Sequence, residues 1–391
     1  MMLKRLAALS AAAVMLLVPV SASALETGQA EGYARGIITF EKNKNGIPEK
    51  DSLLSGSIAE DAGFDSSDWL AIGAVRAGLE DDTAEYRAAW EKRIQEDYSD
   101  EKSIGKIVPT DWHRAVLTGL CLGADPADVS GVDLLGCGTY LRGENRSLDK
   151  QGLNAWIWGL IAVDSCDWKM PEGADPDRKD MIDTIISAQN SDGGYSLTAG
   201  DGRSDIDITA MALQALSPYR NCEEAEGTIA AALGYLAENK SSADNCESTA
   251  QMICALCCLD IDPDTDERFA WLTDAMISFA NDDGGFAHKK GESSSELASS
   301  QALIALCSLQ RLRSGERSVY DMNEGSAVKP QRTTLDAMAA AKNRNTTAPA
   351  VKKSSAKGKK VTASVSAVIA VFGIAAVSGG ILMRRRKEKN R

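Results

Sequence analysis

Two stretches decide the fold: Gln189-Asn190-Ser191-Asp192-Gly193-Gly194-Tyr195 and Ala280-Asn281-Asp282-Asp283-Gly284-Gly285-Phe286. Each precedes a polar segment and then an apolar, helix-like run, Thr209 to Leu216 in one case and Ser299 to Leu306 in the other. In such a turn glycine takes backbone angles that other residues resist, aspartate accepts from nearby amides, and the aromatic folds back as a cover. The turns therefore predict scaffold rather than catalytic loops, with positive φ expected at Gly194 and Gly285. Asp192 and Asp283 lie 91 residues apart. That is about two units of 45, a period that marks a helical-repeat architecture.

Working outward, similar apolar runs open at Trp69, Trp112, Asn154, Thr209, Thr249 and Ser299. Their leucines Leu120, Leu160, Leu216, Leu256 and Leu306 step by 40, 56, 40 and 50 residues, and Trp69 to Trp112 adds 43. Six units result. The runs are rich in Ala, Leu and Ile with few charges, as suits helices buried on most sides. Between them, Ala84 to Asp97, Arg178 to Gln189 and Glu223 to Glu238 mix charge with periodic apolar residues and predict half-exposed outer helices. Where a third Asp-Gly-Gly turn is due, the chain has Lys240-Ser241-Ser242-Ala243-Asp244-Asn245, so that copy has decayed.

These turns resemble the Gln-x-x-Asp-Gly-Gly-Trp/Phe repeats of the squalene cyclase and protein prenyltransferase β-subunit superfamily, the α/α toroids. The likeness spans roughly residues 29 to 322 and is nearest to surface proteins of Gram-positive bacteria that carry prenyltransferase or squalene-oxidase repeats. It implies an all-α fold: an α/α toroid of six helical hairpins, with the inner helices parallel. The repeat specifies the fold far better than the function, because one fold hosts many activities.

The ends predict export and anchoring. Residues 1–24 have the pattern of a signal peptide: Lys4 and Arg5, an apolar run from Leu6 to Val20, and Ala22-Ser23-Ala24 as the cleavage site. The toroid is expected over 25–324 and a flexible stalk over 325–360. Residues 361–383 carry no charge over 23 positions and predict a C-terminal transmembrane helix; 384–391 form a basic tail placed in the cytoplasm by the positive-inside rule. The toroid would then be extracellular at the cell membrane. No Leu-Pro-x-Thr-Gly motif precedes the span.

Charge divides along the same boundaries. Residues 25–324 hold 26 basic and 54 acidic residues, net −28, whereas 325–391 hold 15 basic and 2 acidic. Such a domain repels polyanions, so no nucleic acid is expected as a partner. Of the nine cysteines, Cys121, Cys254, Cys257, Cys258 and Cys307 fall in or beside apolar runs, where cysteine acts as a small hydrophobe. Cys254, Cys257 and Cys258 share a helical face but have no histidine nearby, so no metal and no cofactor is expected.

Each inner run begins with polar residues: Ser67-Asp68, Thr110-Asp111, Asn154, Ser204-Asp205-Ile206-Asp207, Glu247-Ser248-Thr249 and Ser295-Glu296. Taken singly these are helix caps. If the inner helices run parallel, as the resemblance implies, they also converge on one mouth of the ring. That mouth would carry Asp68, Asp111, Asn154, Asp205, Asp207 and Glu247 beside Trp69, Trp112, His113 and Trp156. Acids among tryptophans suit a ligand with apolar faces and polar or cationic groups.

Asp205-Ile206-Asp207-Ile208-Thr209-Ala210 resembles the Asp-x-Asp-Asp-Thr-Ala of class II terpene cyclases. By position Asp207 matches the general acid and Asp205 its first neighbour, but Ile208 replaces the third carboxylate, and aromatics make up only 5% of the chain. His113 and His288 are the only histidines, so the Asp-Cys-His zinc site of a protein prenyltransferase has no counterpart. Gly136-Cys137-Gly138-Thr139-Tyr140 lacks the glutamine of a thioester motif. A six-hairpin glycosidase or lyase with paired acids stays open. The residues favour a membrane-anchored, non-catalytic module for a small amphiphilic ligand, a wall polymer or a protein partner. Cobalamin carriers contain similar toroids, but nothing after Glu324 matches their β-rich second domain.

Overall fold

The computed structural model describes residues 25–323, apart from 26, 81, 101, 144–146 and 201. The stretches expected to form the signal peptide, stalk, transmembrane helix and basic tail lie outside the described residues. Among the described residues no helix is long and apolar enough to cross a membrane.

In chain order the helices are α1 (Thr27–Asn45), α2 (Gly56–Glu60), α3 (Asp65–Arg76), α4 (Ala84–Tyr98), α5 (Ser103–Lys106), α6 (Pro109–Cys121) and α7 (Leu134–Gly138). They continue with α8 (Leu153–Ser165), α9 (Arg178–Ser187), α10 (Ile206–Leu216), α11 (Glu223–Glu238), α12 (Cys246–Cys258), α13 (Leu272–Ile277) and α14 (Glu296–Arg313). The apolar helices α3, α6, α8, α10, α12 and α14 each pack on the next, and α14 packs back on α3, closing an inner ring. Every residue of α10 and α12 is buried, which explains their lack of amphipathic pattern. The outer layer sets α7 on α6, α9 on α8, α11 on α10 and α13 on α12. The N-terminal helix α1 packs on α14, so the last hairpin is made from the two ends of the fold.

Polar bonds tie neighbours across this ring. Gln214 of α10 donates to the Gln251 side chain of α12 at 2.8 Å, and Gln251 donates to Gln301 of α14 at 2.8 Å, all three buried. Arg178, fully buried, donates to Asp164 at 2.9 Å, and the Tyr219 hydroxyl caps the other Asp164 oxygen at 2.7 Å. At the closure, Arg313 grips Asp262 (2.9 Å) and donates to the Leu25 carbonyl (2.5 Å).

The two Asp-Gly-Gly turns are built alike. The Gly194 amide donates to Asp192 and the Gly285 amide to Asp283, each at 3.0 Å. Ser204 and Ser294 donate to the same aspartates at 2.6 and 2.7 Å, while Tyr195 N–H and Phe286 N–H donate to Thr209 and Ser299, each at 2.9 Å. Each turn is thereby pinned to the start of the next inner helix, and Tyr195 and Phe286 are fully buried beneath it. Positive φ falls on Gly193 (85°) and Gly284 (87°), one residue earlier than expected. Gly194 and Gly285 are required for another reason: a Cβ there would sit 2.4 Å from Ser204 Cβ and 2.7 Å from Ser294 Cβ. The decayed copy at Lys240–Ser242 is a single 3-10 turn.

Candidate functional site

The structure sorts the residues expected at the mouth into separate groups. Arg114, buried on α6, gathers the first: it donates to Asp111 at 2.7 Å, Asp65 at 3.1 Å and Asp68 at 3.2 Å. Asp68 also accepts from the Tyr86 hydroxyl at 2.8 Å and the Gly63 amide at 2.9 Å. Burial pushes the Asp68 carboxyl above its usual range, against the pull of Arg114 and these bonds. Trp69 joins the group through Asp65, to which its indole N–H donates at 3.0 Å. This network is an internal brace between α3, α4 and α6.

Trp112 and His113 lie between the layers. Trp112 is fully buried and meets Tyr98 edge-on at 4.6 Å; its Nε1 has no hydrogen-bond partner. His113 places Nε2 at 2.9 Å from the Gly138 carbonyl, and burial pushes its imidazole down to about 3, so it is neutral. Asn154 and Trp156 are half-buried at the start of α8; Trp156 donates to Asp149 at 3.0 Å, and Asn154 Oδ1 is a buried atom with no partner.

The third group forms where α10 and α12 begin. Asp205 caps α10, accepting from the Ile208 amide at 3.0 Å. Asp207, in the first turn, is 9% exposed, and its Oδ1 is buried with no hydrogen-bond partner among the described residues. Burial chiefly, with Asp205 and Glu247 nearby, pushes its carboxyl up to about 7, although a bond from Ser248 and the nearby His288 pull the other way. Glu247, buried on α12, meets His288 Nδ1 at 2.8 Å, and the His288 carbonyl accepts from the Cys246 amide at 3.0 Å. Sequence reasoning missed His288 as a site residue. Its signal was position: it stands two residues after Phe286, in the segment that the second turn folds back toward α12. Among the described residues no group of three or more His, Cys, Asp or Glu is placed to hold a metal ion.

The other end of the ring is filled. After α14 the chain turns back, and Val319 and Tyr320 are buried. The Tyr320 ring stacks edge-on with Trp69 of α3 (6.3 Å) and Trp158 of α8 (5.6 Å), which themselves meet at 5.2 Å. Burial and then the thiols of Cys254, Cys258, Cys307 and Cys121 raise the Tyr320 hydroxyl far above its usual range. Residues of α3, α6, α8, α12 and α14 converge on one ring only at the toroid axis, so Tyr320 is a plug. The Arg76 guanidinium holds it by donating to the carbonyls of Val319 (2.9 Å), Ser318 (3.0 Å) and Asp321 (2.9 Å).

Chemically, the α10–α12 mouth offers a carboxyl poised between its neutral and charged forms, one bare oxygen, and a carboxylate–imidazole pair beside it. That set can accept a donor or cation, or release a proton.

No curated protein and no solved structure matches the chain. Residues 134–324 match the family model of the prenyltransferase alpha-alpha toroid domain, a span that takes in α7 to α14. With the closed inner ring, that match supports a kinship of this domain with the terpenoid cyclase/prenyltransferase α/α-toroid superfamily.

Proposed function

We propose that the toroid is a binding module whose ligand enters at the mouth formed by α10 and α12 and meets Asp207. The observation that carries this is the buried Asp207 Oδ1 with no hydrogen-bond partner among the described residues. A buried polar atom left unpaired costs roughly 1–3 kcal/mol, so such an atom at a rim calls for a partner from outside. A bare carboxyl oxygen at such a mouth suits a small amphiphilic ligand with an amine, amide or hydroxyl group. A corrinoid is one such molecule; a segment of wall polymer or of a partner protein is the larger version. In this proposal the module is displayed outside the cell, held by the span at 361–383.

One feature favours an enzyme instead: a carboxyl raised to about 7 is a competent proton donor, as in a cyclase using Asp205 and Asp207 or a glycosidase pairing Asp207 with Glu247. Against it, Ile208 stands in place of the third acid and is fully buried. Native mass spectrometry of the purified chain, mixed in turn with squalene, cobalamin and wall-derived glycans, separates the two. Binding expects a retained, unchanged ligand that Asp207→Asn loses. Product that disappears in Asp207→Asn would make the chain an enzyme.

A further inference from the structure

The two Asp-Gly-Gly turns dock on outer helices in one common register. A Cβ on Gly193 would meet the Ala231 carbonyl of α11 at 2.5 Å, and one on Gly284 would meet the Gly36 carbonyl of α1 at 2.5 Å. One turn further along each helix, Tyr235 and Phe40 approach Gly194 and Gly285 in the same way, at 2.9 and 2.8 Å. Counting back from these pairs, Thr228 of α11 corresponds to Tyr33 of α1.

One side chain differs between the copies. Gln189 fills the first: its amide nitrogen donates to the carbonyls of Gly193 and Thr228, each at 2.8 Å, clamping the turn to α11. The corresponding residue of the second copy is Ala280, which has no amide to offer the carbonyls of Gly284 and Tyr33. In place of the glutamine the structure has a groove of about 360 Å³; Gln29 and Asn281 stand on its wall together with Gly32, Tyr33, Gly36, Ala280, Asp282 and Gly284.

We propose that this groove is a binding site for a planar N–H donor group of a partner, an arginine side chain, which takes the place that Gln189 occupies in the other turn. A guanidinium presents the same flat NH2 geometry as a carboxamide, so it can meet the Gly284 and Tyr33 carbonyls as Gln189 meets those of Gly193 and Thr228. The exposed Asp282 carboxylate and the Tyr33 ring on the groove wall suit a cation. Residues 25–324 carry net −28, which favours a basic partner over an acidic one. The site is independent of the Asp207 mouth and does not rest on that function.

The test uses the full chain in detergent, with N-acetyl-arginine amide, N-acetyl-glutamine amide and N-acetyl-lysine amide as probes in saturation-transfer NMR. The arginine probe should give a saturable signal, the glutamine probe a weaker one and the lysine probe little. Ala280→Gln, which restores the clamp, should raise the melting temperature by ~2 °C and abolish the arginine signal. Gln189→Ala should lower the melting temperature and increase the signal by opening the equivalent site. Equal signals from arginine and lysine would reduce the effect to bulk charge and overturn the proposal. So would an arginine signal that survives Ala280→Gln, or an Ala280→Gln variant that melts like the parent.

Discussion

The guanidinium of Arg76 donates to the carbonyl oxygen of Val319 at 2.9 Å, joining α3 to a residue 243 positions further along the chain. Through that bond the segment after α14 is held on the toroid axis, where Tyr320 reaches Trp69 and Trp158. Truncating a buried aromatic leaves a cavity as well as lost contacts, so Tyr320→Ala should cost about 3 kcal/mol. The melting transition should fall while the far-UV helix signal persists, and tryptophan emission should shift as Trp69 and Trp158 lose their neighbour. An unchanged melt and emission would mean that the axis is not filled by this residue.

The glycines of the turns should be irreplaceable for two distinct reasons. Gly193→Ala and Gly284→Ala impose a side chain at φ near 85°, against a backbone carbonyl that cannot retreat. Gly194→Val and Gly285→Val collide with Ser204 or Ser294. Each should destabilise by about 2–4 kcal/mol, read as a lower melting temperature. A variant that melts like the parent but no longer binds ligand would move the turns from the scaffold to the site.

All nine cysteines are free, and six of them are buried. Burial raises Cys121 to about 12, and Cys137 and Cys166 to about 11, so even the half-buried thiols are neutral and slow to react. A thiol reagent should therefore label the native chain slowly and modify nine thiols after denaturation. Reductant should leave the melting temperature unchanged. A reductant-sensitive melt would show disulfides that these positions do not form.

Most of the ring was legible in the sequence because its inner helices are buried on nearly every side. Residues 206–216 and 246–258 could only be near-continuous apolar runs, and the six runs match α3, α6, α8, α10, α12 and α14. The outer layer was harder to read where it is short: α7 spans Leu134–Gly138 and α13 spans Leu272–Ile277, too few residues for a period to appear. The ring closure by α1 and the Tyr320 plug depend on contacts between residues far apart in sequence, which no local pattern encodes. Residues sharing a helix start looked alike as a string, yet Arg114 draws Asp68 and Asp111 into a brace while Asp207 keeps a bare oxygen. Only the packing of α3 against α6 separates those fates.

Two buried acids give a definite pH dependence. Burial is the main cause that pushes Asp207 up to about 7 and Glu41 up to about 8; Glu41 is 2% exposed with Oε1 unpartnered. Both folded-state values are raised, so the folded chain keeps protons that the unfolded chain releases near pH 4. Their contribution is fully favourable below that pH and is lost as pH rises toward 7 for Asp207 and 8 for Glu41. Asp207→Asn and Glu41→Gln should each remove part of this slope and raise stability at pH 8 by on the order of 2 kcal/mol, with little gain at pH 4. Denaturant melts at the two pH values decide it; a variant that destabilises equally at both would show that the carboxyl is charged in the fold.

The central claim is that a ligand completes Asp207 without being transformed. Its most direct test is isothermal titration of the parent and Asp207→Asn with whichever molecule native mass spectrometry retains, followed by recovery of that molecule. We predict one site per chain, affinity at least roughly 10-fold weaker in Asp207→Asn, corresponding to the loss of about 1.4 kcal/mol, and ligand recovered intact from both. Equal affinity in the two proteins, or a chemically altered ligand recovered from the parent alone, would contradict it.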